Sequence, residues 1–166
     1  MPAAGPDSYR LRTLWRFDES SDLVWNAIAD ADTWPLWWKG IESVVTLDRG
    51  EPSGLDARRC YTCLSVLPFR LTFVGRVTRV VPMQLIEGRV EGELEGIGSC
   101  RLERFDGLTV VCYDWQVRTT RPWMNLLAPL AKPLFRWNHD QIMRAGGIGL
   151  TRHLNARPGS AADRPT

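Results

Sequence analysis

The side chains able to do chemistry in this chain are few, and their spacing excludes several reactions. The histidines are His139 and His153, both in a C-terminal stretch of helical period. On one helix they would lie roughly 21 Å apart, too far to share a metal ion. "CYTC" at residues 60–63 has the CxxC spacing of a zinc or redox site. A zinc site needs a second pair or nearby histidines, and in an extended strand residues three apart point to opposite faces. Cys60, Cys63, Cys100 and Cys112 therefore read as reduced structural thiols, with no metal and no cofactor expected. No GxSxG, HxxxH, P-loop or dinucleotide fingerprint occurs. Asp30 and Asp32 stand just before a tryptophan cluster, where they read as caps or links of short helices.

That cluster is the most unusual local feature. "TWPLWWKG" at residues 33–40 holds Trp34, Trp37 and Trp38. Trp37 and Trp38 are adjacent, so on a helix they cannot share one face. One tryptophan, Trp37 or Trp34, is expected on the core. The competing account is that all three seal the open end of a sheet.

The elements that position these residues can be read from periodicity. "YRLRTLWRF" (9–17) alternates strictly, with Tyr9, Leu11, Thr13, Trp15 and Phe17 on one side, as in a half-buried strand. A helix follows, capped at Ser20 or Ser21, with Leu23, Val24, Ala27 and Ile28 as its apolar stripe. Residues 30–39 make a second short helical piece that ends at Gly40. Strand signals then fall at about 41–48, 56–67, 70–81, 84–94, 97–105 and 108–119. "RPWMNLLAPLAKPLF" carries three prolines, so its helix must be broken or start late, and one long helix is expected from Pro133 to Leu154. Strands with short connections make an antiparallel meander, and its apolar face needs the C-terminal helix as a cover.

Two-residue turns fix the register. "DG" at 106–107 pairs Phe105 with Leu108, Leu102 with Val111 and Cys100 with Tyr113. Cys100, Leu102, Thr109, Val111, Tyr113, Trp115 and Val117 then face inward, and Arg101, Glu103, Asp114, Gln116 and Arg118 face out. A three-residue loop ending at Gly96 pairs Gly92 with Gly98 and Val90 with Cys100. A two-residue "PM" turn pairs Val77 with Gly88 and Gly75 with Val90. By the same parity Arg79 faces inward near a strand end, where it anchors an acidic ligand group or snorkels at the rim.

The inner face thus gathers Gly75, Gly88, Gly92 and Gly98. Two accounts stay open: the glycines let the sheet bend round the helix, or they leave a cavity. On the helix, Leu134, Phe135, Asn138, Ile142, Ala145 and Gly149 form one stripe, and Gly146 and Gly147 interrupt it. Asn138 is a polar residue within that stripe, so it ties the helix to a strand or meets a ligand. His139 lies at the stripe's edge.

Three blocks resemble a known family. "VWNAIADADTWPLWW", "GIGSCRLERFDGLTVVCYDWQV" and "WNHDQIMRAGGIGLTRHL", in this order, resemble the START-like SRPBCC superfamily, nearest its polyketide cyclase/dehydrase and lipid-transport branch. The likeness spans about residues 9–154. It implies an α+β helix-grip fold: a curved antiparallel sheet of about seven strands around a long C-terminal helix, with two short helices after the first strand. It also implies an apolar cavity between sheet and helix, with another tryptophan of the cluster in its lid. The inward Gly88, Gly92 and Gly98, facing Ala145 and Gly146, are expected to leave it roughly 300–1,000 Å³. The expected ligand-binding residues are Trp37, Trp38, Arg79, Gly88, Tyr113, Trp115, Asn138, His139 and Ile142. No catalytic residue carries over.

Composition sets the remaining expectations. The 166 residues suit one domain at 9–155 between disordered tails at 1–8 and 156–166. The net charge is +2, and the basic residues are scattered arginines with only Lys39 and Lys132 as lysines, which argues against nucleic acid. No apolar run is long enough to span a membrane, and "MPAAGPDS" lacks the features of a signal peptide, so a cytoplasmic protein with no stable membrane insertion is expected. The oligomeric state is not legible. The functions open at this stage are binding of a hydrophobic small molecule (a lipid, a polyketide or another aromatic), polyketide cyclase/aromatase activity on a poly-β-ketone, and a protein-interaction module.

Overall fold

The computed structural model describes residues 8–65, 68–126 and 128–156. The expected tails therefore lie almost wholly outside the described residues. Strand β1 (Ser8–Phe17) leads into α1 (Ser21–Ala29), a 3-10 turn (Ala31–Thr33) and α2 (Trp34–Trp37). Six strands follow: β2 (Ile41–Asp48), β3 (Arg58–Leu64), β4 (Arg70–Val81), β5 (Leu85–Gly92), β6 (Leu94–Phe105) and β7 (Leu108–Thr119). A short α3 (Pro122–Leu126) precedes the long α4 (Ala128–Asn155). The seven strands form one antiparallel sheet in the order β1-β7-β6-β5-β4-β3-β2. The alternation of β1 lets it pair with β7, so α1 and α2 carry the chain from one sheet edge to the other. β1 and β2 remain the free edges.

The β6–β7 hairpin has the expected register, Phe105 with Leu108, Leu102 with Val111 and Cys100 with Tyr113. Asp106 and Gly107 both have positive φ, 49° and 79°, as a turn matched to strand twist requires. Leu102, Val111, Tyr113 and Val117 are accordingly buried, while Glu103 and Gln116 are exposed. All four cysteines are free, with Cys100 buried on the inner side and Cys112 on the outer.

Two other turns differ from expectation. Val77 does pair with Gly88, but the turn spans residues 82–84, with Val81 opposite Leu85. A bulge between Val77 and Arg79 absorbs the extra residue. Arg79 consequently stands opposite Glu87 and is exposed on the outer face. The inward assignment of Arg79 is thus wrong, because a one-residue bulge reverses parity. The β5–β6 ladder ends at Val90 opposite Gly96, and pairs Gly88 with Gly98 and Ile86 with Cys100. The expected pairing is off by four residues, an even number, which shifts neighbours but keeps every residue on its face.

Helix α4 starts at Ala128, ahead of Pro133, which lies inside it. Its buried face is Asn138, Met143, Gly146, Leu150 and Leu154, with Phe135 and Ile142 partly buried. Leu134 is exposed, against its place in the expected stripe. Leu150 and Leu154 are nearly inaccessible, and full burial of such a side chain is worth about 1.5–3 kcal/mol. Among the described residues no helix is long and apolar enough to cross a membrane.

Candidate functional site

The end of the sheet nearest α1 and α2 is packed with tryptophan. Trp15 and Trp38 donate their indole N–H groups to the carbonyls of Met143 and Ile142, at 3.0 and 2.9 Å. In a helix those carbonyls already accept from residues four positions later, Gly147 and Gly146. A side chain there would obstruct the second donor: a Cβ on Gly146 would sit 2.6 Å from the Trp38 nitrogen, and one on Gly147 would sit 3.1 Å from the Trp15 nitrogen. The glycines of α4 thus admit indoles to its backbone. Trp37 stacks on Trp38 with centroids 5.5 Å apart, and both are buried. Trp34 is different. It bonds the Ile28 carbonyl at 3.1 Å and turns its ring toward the sheet, 5.6 Å from Tyr61.

Beyond Trp34 lie two voids of about 150 and 130 Å³. Both are lined by Trp34, Tyr61, Val77, Ile86, Cys100 and Tyr113, so the same side chains divide them. Among the described residues, these two smaller spaces lie where a single cavity is expected. Part of the difference lies in the glycines of the sheet. The Trp115 ring covers Gly98, at 3.2 Å from an added Cβ, and the Tyr61 ring covers Gly75 at 3.0 Å. Gly88 borders the second void, but a Cβ there would meet the Arg76 carbonyl at 2.9 Å.

Of the expected ligand-binding residues, Gly88, Tyr113 and Trp115 line these voids. Trp37, Trp38, Arg79, Asn138, His139 and Ile142 do not. Trp37, Trp38 and Ile142 pack at the helix–tryptophan junction, where Ile142 fills the place of a Gly40 side chain. Asn138 is buried and accepts a hydrogen bond from Ser65 at 3.0 Å, tying α4 to the segment after β3. His139 points its Nδ1 at Asp140, 3.3 Å away, with Nε2 buried and unpartnered. Burial holds its pKa below the ordinary value.

Sequence reasoning missed the most polar wall, Arg59 and Tyr61 on β3. Arg59 pairs with Gly75 and Tyr61 with Phe73, so both stand on the inner face. A short turn between β3 and β4 would have fixed this parity, but residues 65–69 form a longer connection. The Arg59 side chain is mostly buried, and its Nε lies 3.4 Å from an Asp32 carboxylate oxygen without a hydrogen bond of acceptable geometry. Thr46 donates to the same oxygen at 2.7 Å. The Tyr113 hydroxyl is buried without a hydrogen-bond partner, beside the Cys100 thiol.

This wall is cationic at Arg59 and otherwise neutral. Burial pushes Tyr61 up to about 12, against the pull of the Arg59 charge. It pushes Cys100 up to about 12 as well, and Tyr113 well above the ordinary phenol range. The thiol is therefore no ready nucleophile, and the phenols stay O–H donors at neutral pH. No histidine or carboxylate lines either void among the described residues. Nor do those residues hold a cluster of three or more His, Cys, Asp or Glu fit for a metal ion. What the wall can do is offer donors to an oxygen-bearing or anionic group on an otherwise apolar molecule.

A family model described as polyketide cyclase / dehydrase and lipid transport matches residues 17–145. No curated protein sequence matches significantly. Among solved structures, the Zhui aromatase/cyclase of Streptomyces sp. R1128 superposes with a TM-score of 0.73 at 15% identity, covering 93% of this chain and 98% of its own. A START superfamily protein from Mycobacterium smegmatis gives a TM-score of 0.70 at 11% identity, covering 88% and 97%. The di-domain ARO/CYC BexL of the BE-7585A biosynthetic pathway gives 0.73 at 16%, covering 93% of this chain but 52% of its own. At these identities the likenesses establish the helix-grip fold.

Proposed function

Since the chain belongs to the polyketide cyclase / dehydrase and lipid transport family, we propose that it binds a flat hydrophobic molecule of about two rings, held by an oxygen or acidic group at Arg59. The carrying observation is the pair of adjoining voids, with the mostly buried Arg59 on the first and the unpartnered Tyr113 hydroxyl on the side they share. A cavity near 150 Å³ suits a single aromatic ring. Two such spaces divided only by side chains suit a two-ring ligand once Trp34 or Ile86 changes rotamer. The Arg59 Nε, 3.4 Å from Asp32 and without an aligned acceptor, leaves a charged donor for the ligand.

The probe pair is 2-naphthoic acid and its methyl ester, titrated by tryptophan fluorescence. The acid is expected to bind at least about tenfold more tightly, the worth of a hydrogen bond to a charged group. Arg59→Met should remove that preference. Ile86→Trp should fill the voids and abolish both affinities while the thermal melt stays within about 1 kcal/mol of the parent. Unchanged binding by a folded Ile86→Trp chain would place the ligand elsewhere.

The donors Arg59, Tyr61 and Tyr113 around one space support a second reading, ring closure of a poly-β-ketone. These groups would stabilise an enolate oxygen, and the walls would set the fold of the chain. Mass spectrometry of a linear poly-β-ketone analogue incubated with the protein tests it. A change in cyclised product relative to buffer favours catalysis, and binding without such a change favours a carrier.

A further inference from the structure

We propose that the groove between β1 and α4 docks an extended acidic peptide, which adds to the free edge of β1 as an eighth strand. β7 pairs with one side of β1, and among the described residues no strand pairs with the other. In an antiparallel ladder every second residue turns its N–H and C=O away from the partner strand. Among the described residues, no other backbone group bonds to the main chain of residues 12–17. The edge is therefore open where the groove runs.

The groove has the dimensions of a strand site. It encloses about 510 Å³ and is lined by six consecutive β1 residues, 12–17, and by one face of α4 from Asp140 to Thr151. Six strand residues span roughly 17 Å at 3.4 Å each. The helical stretch from 140 to 151 covers about the same length at 1.5 Å per residue. Strand and helix thus flank the groove along its whole length, the arrangement in which peptides join a sheet edge. Leu14 on one wall and Ile148 on the other are about half exposed, giving apolar contacts to alternate side chains of an added strand.

Charge selects the occupant. Arg12, Arg16 and Arg144 line the groove against one carboxylate, Asp140. Arg12 is held by Asp114 at 2.6 Å, whereas Arg16 and Arg144 have no ion pair among the described residues. A second copy pairing antiparallel about Leu14 would set Arg12 opposite the partner's Arg16, a like-charge contact that destabilises cross-strand pairing. The arginines that discourage this self-association attract an acidic strand.

Random heptapeptides displayed against the full chain test the proposal. Enrichment of extended sequences that combine Asp or Glu with apolar residues is expected. A fluorescent synthetic copy of the best sequence should lose affinity at least about tenfold against a folded Arg16→Glu/Arg144→Glu variant. It should bind Ile86→Trp unchanged, separating this groove from the interior voids. N-methylation of alternate peptide residues should abolish binding in one phase and spare it in the other, the signature of ladder pairing. Failure to enrich any sequence, indifference to charge reversal, equal effects of both methylation phases, or a dimer in sedimentation would each overturn the proposal.

Discussion

Glycine stands on both walls of the interior, and the two walls use it in opposite ways. On α4, Gly146, Gly147 and Gly149 are places where something else has already moved in. The indoles of Trp15 and Trp38 reach the helix backbone through the first two, and the Trp37 carbonyl lies against the third. On the sheet, Gly75 and Gly98 are covered by the Tyr61 and Trp115 rings, which themselves border empty space. The same residue type closes one wall and leaves the other compliant. A glycine therefore signals close approach, and only its neighbour decides whether volume remains.

The largest test of this difference is Gly149→Ala. Alanine favours a helix interior by about 1 kcal/mol over glycine. Here its Cβ would fall 1.8 Å from the Trp37 carbonyl oxygen, a backbone atom that cannot swing aside. The expected net result is destabilisation of about 3 kcal/mol or more, a melting point lower by roughly 10 °C. Thermal and urea melts measure it. A neutral or stabilised variant would show that the helix does not rest on the tryptophan segment, and the contrast would disappear.

The sheet glycines should respond more gently. Gly98→Ala would put a Cβ 3.2 Å from the Trp115 ring, and Gly75→Ala one 3.0 Å from the Tyr61 ring edge. Neither glycine has the positive φ that would strain alanine. Each ring has adjoining space to yield into, so each substitution should cost less than about 1 kcal/mol. Both should also shrink the voids and weaken naphthoate binding. A loss of stability as large as that of Gly149→Ala would mean that the rings are as tightly wedged on this wall as on the other.

How much of this was legible in the sequence depended on the local signal at each position. Asp106 and Gly107 specify a two-residue turn, and everything hung on that turn was read correctly, from Cys100 to Val117. The "PM" turn carries one more residue than its sequence suggests, and a bulge compensates within the same strand. Val77 and Gly88 were thus paired correctly, while Arg79, beyond the bulge, was placed on the wrong face. Arg59 and Tyr61 were missed because the connection at 65–69 fixes no parity for β3. The sheet–helix division was visible in period alone, but the filling of the glycine sites was not. It depends on where the rings of Trp15, Trp38 and Trp115 come to rest, which is tertiary information.

The smallest expected effect separates the two walls by pH. On the helix side, burial lowers the His139 pKa from its ordinary 6.5, with Asp140 only partly opposing. The unfolded chain then takes up a proton that the folded chain resists. Stability present above pH 6.5 is lost as the pH falls toward the lower folded value. On the sheet side, burial raises Tyr61 from 10.0 to about 12 and Cys100 from 9.0 to about 12. Their contribution is whole below pH 9 and is lost as the pH rises through the folded values. Urea melts across pH should therefore show His139→Gln flattening the limb below pH 6.5 alone, and Tyr61→Phe flattening the limb above pH 10 alone. Loss of the acid limb in Tyr61→Phe, or an unchanged acid limb in His139→Gln, would mean that another group governs acid stability and that the walls are not electrostatically distinct.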